Sequence, residues 1–198
     1  MNGTTAFLAL RDQWLDHSAA APLELSWPMS QPFNWARDYF DHIAAGNQAP
    51  ALRVVDDSGN DQVVSFAALS QRSNQVANFL ESHGVARGDR VLIMLGNAVP
   101  LWETMLATIK LGAVMIPATT LMQRSDLEDR LERGQVKAVV TDAAFASRFE
   151  GLSGAPLRIA TNGVAHGWLA YENSNAAAVI LPSAAPTAVP GRSRSKSA

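Results

Sequence analysis

Lys110, the pair Asp89 and Arg90, Asn97 and four histidines are the side chains of this 198-residue chain whose type and place could do chemistry. A lysine can neutralise a phosphate. Lys110, however, stands two positions before Gly112 at the end of a helical pattern, where a cation favours the negative end of the helix dipole, so a structural role is expected. Asp89 and Arg90 could pair an acid with an anion clamp, but their setting before an apolar run makes Asp89 a turn residue and Arg90 a solvated charge. His17, His42, His83 and His166 show no metal spacing such as HExxH, and His83 reads as a cation near a helix end. Asn97 follows a buried apolar run directly. Ligand-facing loops of open α/β sheets lie at such strand ends, yet Asn97 is also a good helix cap, and that is the expectation. Met94, Met105, Met115 and Met122 suggest a greasy channel less than they suggest core packing. Gly84 with Gly88 and Gly151 with Gly154 lack the hydroxyls and lysine of a phosphate loop, and neither GxxxxGK[ST] nor GxGxxG occurs. No residue of the chain is therefore expected to be catalytic, to bind a cofactor or to hold a metal.

The elements that place these residues are organised around 88–142, where short β-branched runs alternate with segments at helical spacing, the pattern of βαβ units. Val91 to Leu95 is a continuous apolar run of strand length, predicted to be buried on both faces. Leu101, Met105, Leu106 and Ile109 fall on one helical face between Pro100 and Leu111, and Gly112 stands at the cap. Val114 to Pro117 predicts a second strand. Ser125 with Glu128 reads as a capping box opening a helix that Gly134 closes, and Val136 to Thr141 is a third strand. Leu157 to Ala160 gives a fourth, after a short helix over Ala143 to Phe149.

Upstream, residues 5 to 20 predict a helix stopped by Pro22, and Trp27 to Pro32 a proline-bounded connector. Asn34 is a suitable cap for a helix from Trp35 to about Ala45, with Trp35, Tyr39 and Ile43, joined by Phe40, on its apolar face. Ala51 to Val55 and Gln62 to Phe66 flank the polar insert Asp56 to Asn60, a hairpin pattern. Ser65 then caps a helix over Phe66 to His83, with Leu69, Val76, Phe79 and Leu80 inward. Beyond about Ser174 periodicity fades. Residues 175–198 carry no acidic residue, three prolines and a terminal Arg192-Ser193-Arg194-Ser195-Lys196-Ser197 run, a composition that predicts disorder.

Sixteen basic and eighteen acidic residues give a net charge of −2, which offers no general attraction to nucleic acid or anionic lipid. The absence of cysteine excludes disulfides, thiolate metal sites and a cysteine nucleophile, and suits a cytoplasmic protein. No apolar run reaches the roughly 18 to 20 residues of a membrane span. The N-terminus shows no secretory signal, so the sequon at Asn2 is read as accidental.

Ser65-Phe66-Ala67-Ala68-Leu69, Gly84-Val85, Gly88-Asp89-Arg90-Val91 and above all Ile109-Lys110-Leu111-Gly112-Ala113-Val114-Met115-Ile116-Pro117, in this order, closely resemble the N-terminal part of adenylate-forming acyl-CoA synthetases. The run Lys-x-Gly-Ala-Val-x-x-Pro matches an early signature motif of that family. The resemblance covers roughly residues 33–172, and Phe33-Asn34-Trp35 with Asp126 to Leu131 are most similar to the short- and medium-chain branch.

The resemblance implies an α/β fold: a partial doubly wound, mostly parallel sheet with flanking helices, preceded by N-terminal helices and followed by a disordered C-terminal tail. It implies three regions, an extension over 1–32, an incomplete N-terminal subdomain of the AMP-binding domain over 33–172, and a tail over 173–198 that is out of frame with the family. It implies ligation of a carboxylic acid to CoA through an acyl-adenylate, with ATP, Mg²⁺ and CoA used by the full-length family. In the family a Ser/Thr/Gly-rich loop ending in Pro-Lys cradles the triphosphate. That loop is expected downstream of the matched part, so the chain alone is expected to be inactive and to bind none of these cofactors. The alternative is a non-catalytic module that pairs with a synthetase subunit. A sheet without its neighbours is expected to expose an unpaired edge and an uncovered apolar face.

Overall fold

The structure, a computed structural model, describes residues 3–16, 33–56, 58–154 and 157–179. The chain divides into two units with a boundary at Asn34. The described part of the first is helix α1, Gly3–Leu15, with Phe33 and Asn34; the Phe7 and Phe33 rings stack with centroids 4.8 Å apart. The connector at Trp27–Pro32 and the residues at 180–198 lie outside the described residues.

The second unit begins with a π-helical segment, Trp35–Phe40, that runs into α2, Asp41–Ala44. The buried side chains here are Ala36, Phe40 and Ala44, while Trp35 is 42% exposed. Of the expected face Phe40 is buried and Tyr39 and Ile43 are partly so, while the centre of the buried face lies about one residue on, at Ala36, Phe40 and Ala44. Two alanines and a phenylalanine let this helix sit close against the next two, in a cluster with Leu69 and Leu106.

Strands β1, Pro50–Val55, and β2, Asp61–Ser65, form the predicted antiparallel hairpin. Its turn is organised by Asp56, whose carboxylate accepts from the backbone N–H of Ser58 and Asn60 and from the Asn60 amide. Ser65 ends the hairpin and caps α3, Phe66–Ser82, its Oγ accepting from the Ala68 N–H at 3.2 Å. Leu69, Val76, Phe79 and Leu80 are buried, as their spacing predicts.

A five-stranded parallel sheet follows. Its strands are β3, Arg90–Met94; β4, Val114–Pro117; β5, Val136–Asp142; β6, Leu157–Thr161; and β7, Leu169–Ala170, in the order β4-β3-β5-β6-β7. Helix α4, Val99–Leu111, joins β3 to β4, and α5, Arg124–Arg133, joins β4 to β5. The alternation of side chains in β3 feeds two cores. Val91 and Ile93 meet α3 and α4 through Val76, Leu80 and Ala107, whereas Leu92 and Met94 meet α5 and the 3-10 turn Ala143–Phe149 through Leu127, Leu131 and Phe149. Both faces of the sheet are thus covered, contrary to the expected bare face. Among the described residues the expected unpaired edge is found at β4, where Val114 is 48% exposed.

Gly112 ends α4 in the left-handed conformation, φ 67°, a cap that favours glycine. Gly134 ends α5 for a different reason. Its φ is −73°, but a Cβ there would lie 2.5 Å from the Arg130 carbonyl and 2.8 Å from Ile116 Cδ1, so close packing excludes a side chain. The cap of α5 also differs from expectation: Gln123 and Asp126 form the capping box, two residues ahead of Ser125 and Glu128. After β7 the chain winds through a 3-10 turn, Tyr171–Ala176, with Tyr171 and Ser174 buried. Packed chain therefore continues past Ser174, where periodicity fades, to the last described residue, Val179.

Candidate functional site

In the order β4-β3-β5-β6-β7 the chain first moves one way from β3 and then returns to pass it on the other side. The crossovers α4 and α5 accordingly lie on opposite faces, and the strand order reverses between β3 and β5, the place beyond whose carboxyl ends open α/β sheets form ligand crevices. A groove of about 520 Å³ lies beside this point. Its walls come from the start of α4 at Ala98–Pro100, from Asn162 after β6, from the segment after β7, and from β2 of the hairpin.

Three side chains form the polar base of this groove. Tyr171 donates from its hydroxyl to Glu103 Oε2 at 2.7 Å, and Arg72 Nη2 lies 3.4 Å from the same oxygen. Arg72 also donates to Ser174 Oγ at 3.1 Å and to Gln75 Oε1 at 2.8 Å, with its guanidinium 5.9 Å from the centre of the Tyr171 ring. Burial above all, with the Glu103 charge adding to it, holds the Tyr171 phenol well above the ordinary tyrosine range. That phenol keeps its proton, so it serves as a hydrogen-bond donor and not as a base. The cluster is internally satisfied, and among the described residues no buried side-chain nitrogen or oxygen lacks a partner. Chemically it positions chain segments around the groove.

Lys110 takes the structural role expected of it by a different means. It does not cap α4 in solvent: its side chain is fully buried, and Nζ donates to Asp41 Oδ1 and Asn74 Oδ1 at 2.6 Å each and to the Ser70 carbonyl at 3.2 Å. Ser70 Oγ donates to the same Asp41 oxygen at 2.6 Å. Burial pulls the Lys110 ammonium below its ordinary range, Asp41 offsets this in part, and Arg37 adds to the lowering.

The other residues that the sequence singles out do not converge on the groove base. Asn97 does not cap α4; Ala98 occupies the cap without a side-chain bond, and Asn97 Oδ1 accepts from the Trp102 indole N–H at 3.3 Å. Asp89 is a turn residue as predicted, accepting from the Ala86 N–H at 2.8 Å. Arg90 is no solvated charge: it donates to the Gly134 and Gln135 carbonyls at 2.9 Å, tying the α5–β5 turn to the start of β3. His83 Nδ1 lies 2.8 Å from the Phe79 carbonyl at the end of α3, with its ring over Phe79. His42 and His166 are exposed, and His17 lies outside the described residues. Among the described residues no group of three or more His, Asp or Glu side chains could hold a metal ion. The methionines divide between the two sheet faces, Met105 and Met115 on one and Met94 and Met122 on the other, so they line no common channel.

Arg72, Glu103 and Tyr171 escape sequence reasoning because their partners lie far apart in the chain. One signal was present: Glu103 and Lys110 are seven residues apart, two turns of a helix, on the face that also carries Thr104, Ala107 and Thr108. Charges on a face of such small residues point to buried partners.

A parallel sheet wound on both faces by helices, with a groove at the carboxyl ends of its strands, belongs to the class of open α/β domains that bind ligands at that place. The chain matches the family model described as AMP-binding enzyme over residues 40–191, and it belongs to that family. It is 37% identical over 115 residues to the human mitochondrial acyl-coenzyme A synthetase ACSM2B, an alignment covering 54% of this chain and 20% of that protein. It is 33% identical over 121 residues to 4-hydroxybutyrate–CoA ligase 1 of Metallosphaera sedula, covering 60% of this chain and 22% of that one. The chain thus spans about a fifth of the length of these relatives. Among solved structures it resembles an acyl-CoA synthetase of Brucella canis, with TM-score 0.65 and 23% identity over 71% of this chain and 26% of that one. It also resembles the anthranilate CoA ligase AuaEII in complex with anthranoyl-AMP, with TM-score 0.68 and 20% identity over 78% of this chain and 30% of that one. At these identities the structural likeness concerns the fold. The family match extends past Ser174 into 181–191, where hydroxyls stand at Ser183 and Thr187 and Pro190 is followed by Gly191 and Arg192.

Proposed function

We propose that these 198 residues supply the N-terminal scaffold of an ATP-dependent acid–CoA ligase of the short- and medium-chain kind, acting through an acyl-adenylate, and that alone they do not catalyse. Family membership over 40–191 carries the first half of this reading. The second half is supported by the residues themselves. The run Pro182-Ser183-Ala184-Ala185-Pro186-Thr187-Ala188-Val189-Pro190 has no glycine and Pro190 is followed directly by Gly191 and not by lysine, so it departs from a Gly-rich phosphate loop ending in Pro-Lys. ATP, CoA and a carboxylic acid are partners of the complete catalytic unit. Purified chain incubated with ATP, Mg²⁺, short and medium acids and labelled pyrophosphate is expected to give no label in ATP; clear exchange overturns the reading.

A second reading is favoured by the free β4 edge, with Val114 48% exposed and Leu121 80% exposed just beyond it. In it the chain is a non-catalytic module that pairs with a synthetase subunit. Co-purification with a tagged full-length synthetase as a defined stoichiometric complex supports it, and elution of the chain by itself refutes it. A cytoplasmic location belongs with these proposals. No helix among the described residues is long and apolar enough to cross a membrane, and several relatives are named as mitochondrial, so fractionation of cells decides the compartment.

A further inference from the structure

Arg72, Gln75 and Asn78 stand three residues apart on α3 and form one polar stripe along it. Each meets the segment that follows β7. Arg72 donates to Ser174 Oγ at 3.1 Å, Gln75 Nε2 to the carbonyls of Asn175 at 2.8 Å and Ala177 at 3.4 Å, and Asn78 Nδ2 to the carbonyl of Ala178. The amide of Gln75 is oriented for this, because its Oε1 accepts from Arg72 Nη1 at 2.8 Å and leaves the NH₂ facing the segment. Beyond Ser174 these contacts go to backbone carbonyls, and the side chains in question, Asn175 to Ala178, are exposed or only partly buried. The segment is therefore held chiefly by its main chain, with one small apolar contact where Ala177 packs against the core. Upstream the anchoring is of another kind: Tyr171 is 4% exposed within the core and bonded to Glu103, and Ser174 is fully buried.

We propose that residues 175–178 are a strap hinged at the buried Tyr171–Ser174 turn and held shut on α3 by the Arg72, Gln75 and Asn78 rail, and that the strap is a movable wall of the groove. Asn175 of the strap lines that groove together with Arg72, so the path of the strap affects its width. A wall fastened by a few partly exposed hydrogen bonds opens at far lower cost than one fastened by buried apolar surface, because each such bond contributes little net free energy while the core stays intact. Rail and hinge also separate cleanly: loosening the rail frees 175–178 and leaves Tyr171 in the core.

Amide hydrogen exchange of the full chain, followed residue by residue, tests this. The Ala177 N–H is bonded to the Ser174 carbonyl and reports strap opening, and Val139 and Val140 in β5 report the core. Gln75→Glu keeps the shape of the side chain and removes the donor, so exchange at Ala177 should rise about fivefold, and about tenfold or more when Asn78→Ala is added. Exchange at Val139 and Val140 should not change. Asn175→Ala and Ala178→Ser, which alter only strap side chains, should leave Ala177 as in the parent. The proposal is overturned if Gln75→Glu leaves exchange at Ala177 unaltered, if Asn175→Ala raises it as much, or if core and strap amides accelerate together. None of these readouts depends on ligase activity, so failure here leaves the functional proposal standing and its failure leaves the strap standing.

Discussion

Helix α4 carries two charged residues on one face seven positions apart, and the fold treats them differently. At the carboxyl end Lys110 is sealed, its side chain fully buried, with three acceptors, one of them Asp41 from the short helix that opens the unit. Near the amino end Glu103 is 6% exposed but meets Arg72, whose side chain is 22% exposed and lines the groove. The first cluster fastens the π-helical entry of the domain to α3 and α4 and has no contact with the groove. The second joins α3, α4 and the segment after β7 around an open crevice. Each pair has one part-exposed member, Asp41 at 24% and Arg72 at 22%, so the clusters differ in the buried partner, which is sealed at Lys110, and in place, since only Arg72 and Glu103 line the groove.

The sharpest way to break this comparison is to remove one partner of the sealed pair. Asp41→Asn leaves the Lys110 ammonium buried without its counter-charge and should cost about 3 kcal/mol in denaturant unfolding, whereas Lys110→Met, which replaces the charge by an apolar chain of similar volume and lets the part-exposed Asp41 turn outward, should cost less than about 1 kcal/mol. Equal costs would mean the pair is not sealed.

The pH dependence gives the same contrast a sign. Burial lowers the Lys110 pKa in the folded state, so the folded chain binds this proton less tightly than the unfolded chain, whose value is near 10.5. Stability from this group therefore rises with pH between the depressed folded value and 10.5. Asp41→Asn removes the main offset and lowers that value further. Its stability deficit should be largest at neutral pH and should shrink as pH approaches 10.5. Tyr171 works the other way, its raised folded value costing stability above its ordinary value of 10.0. The difference between variant and parent, read below pH 10, isolates Lys110. A deficit that stays flat across this range would refute the assignment.

How far the sequence speaks for itself follows from the range of each interaction. The apolar runs of β3, β4 and β5, the Ser65 cap and the Gly112 cap are local, set by residues within a turn of one another, and they read correctly. Lys110 was legible only as structural, because Asp41 lies 69 residues away. The Tyr171–Glu103 bond spans 68 residues and had no local trace apart from the shared face of Glu103 and Lys110. The entry helix was read one residue out of phase: Ala36, Phe40 and Ala44 keep the four-residue spacing of Trp35, Tyr39 and Ile43, and the larger side chains drew the reading away from the two buried alanines. Arg90 was read as solvated because its partners Gly134 and Gln135 lie 44 and 45 residues away, whereas Asn97 has a local partner, the indole of Trp102 five residues on, in place of the helix cap.

The groove cluster should respond less than the sealed one. Glu103→Gln keeps an acceptor for Tyr171 and for Arg72 and removes only the charge, and should cost about 1.5 kcal/mol; Tyr171→Phe should cost about 1 kcal/mol. In Glu103→Gln the Tyr171 phenol also loses the negative neighbour that adds to the effect of burial, so its ultraviolet titration should move down toward the ordinary range. A loss for Glu103→Gln as large as that for Asp41→Asn would erase the distinction between the clusters.

The smallest effect is the control that separates contact length from burial. Arg53 and Asp61 on the hairpin approach to 2.6 Å, the same distance as Lys110 and Asp41, and Arg53 Nε meets both carboxylate oxygens at 3.0 Å. By geometry the hairpin pair is the better one. Its side chains are 68% and 37% exposed, however, so water solvates both charges once they are parted and salt screens them while they are paired. Arg53→Ala should therefore leave the unfolding midpoint unchanged at about 0.15 M salt and lower it only slightly when salt is removed. If it instead destabilised the chain as much as Asp41→Asn, distance rather than desolvation would govern these pairs, and the contrast between the two ends of α4 would lose its physical basis.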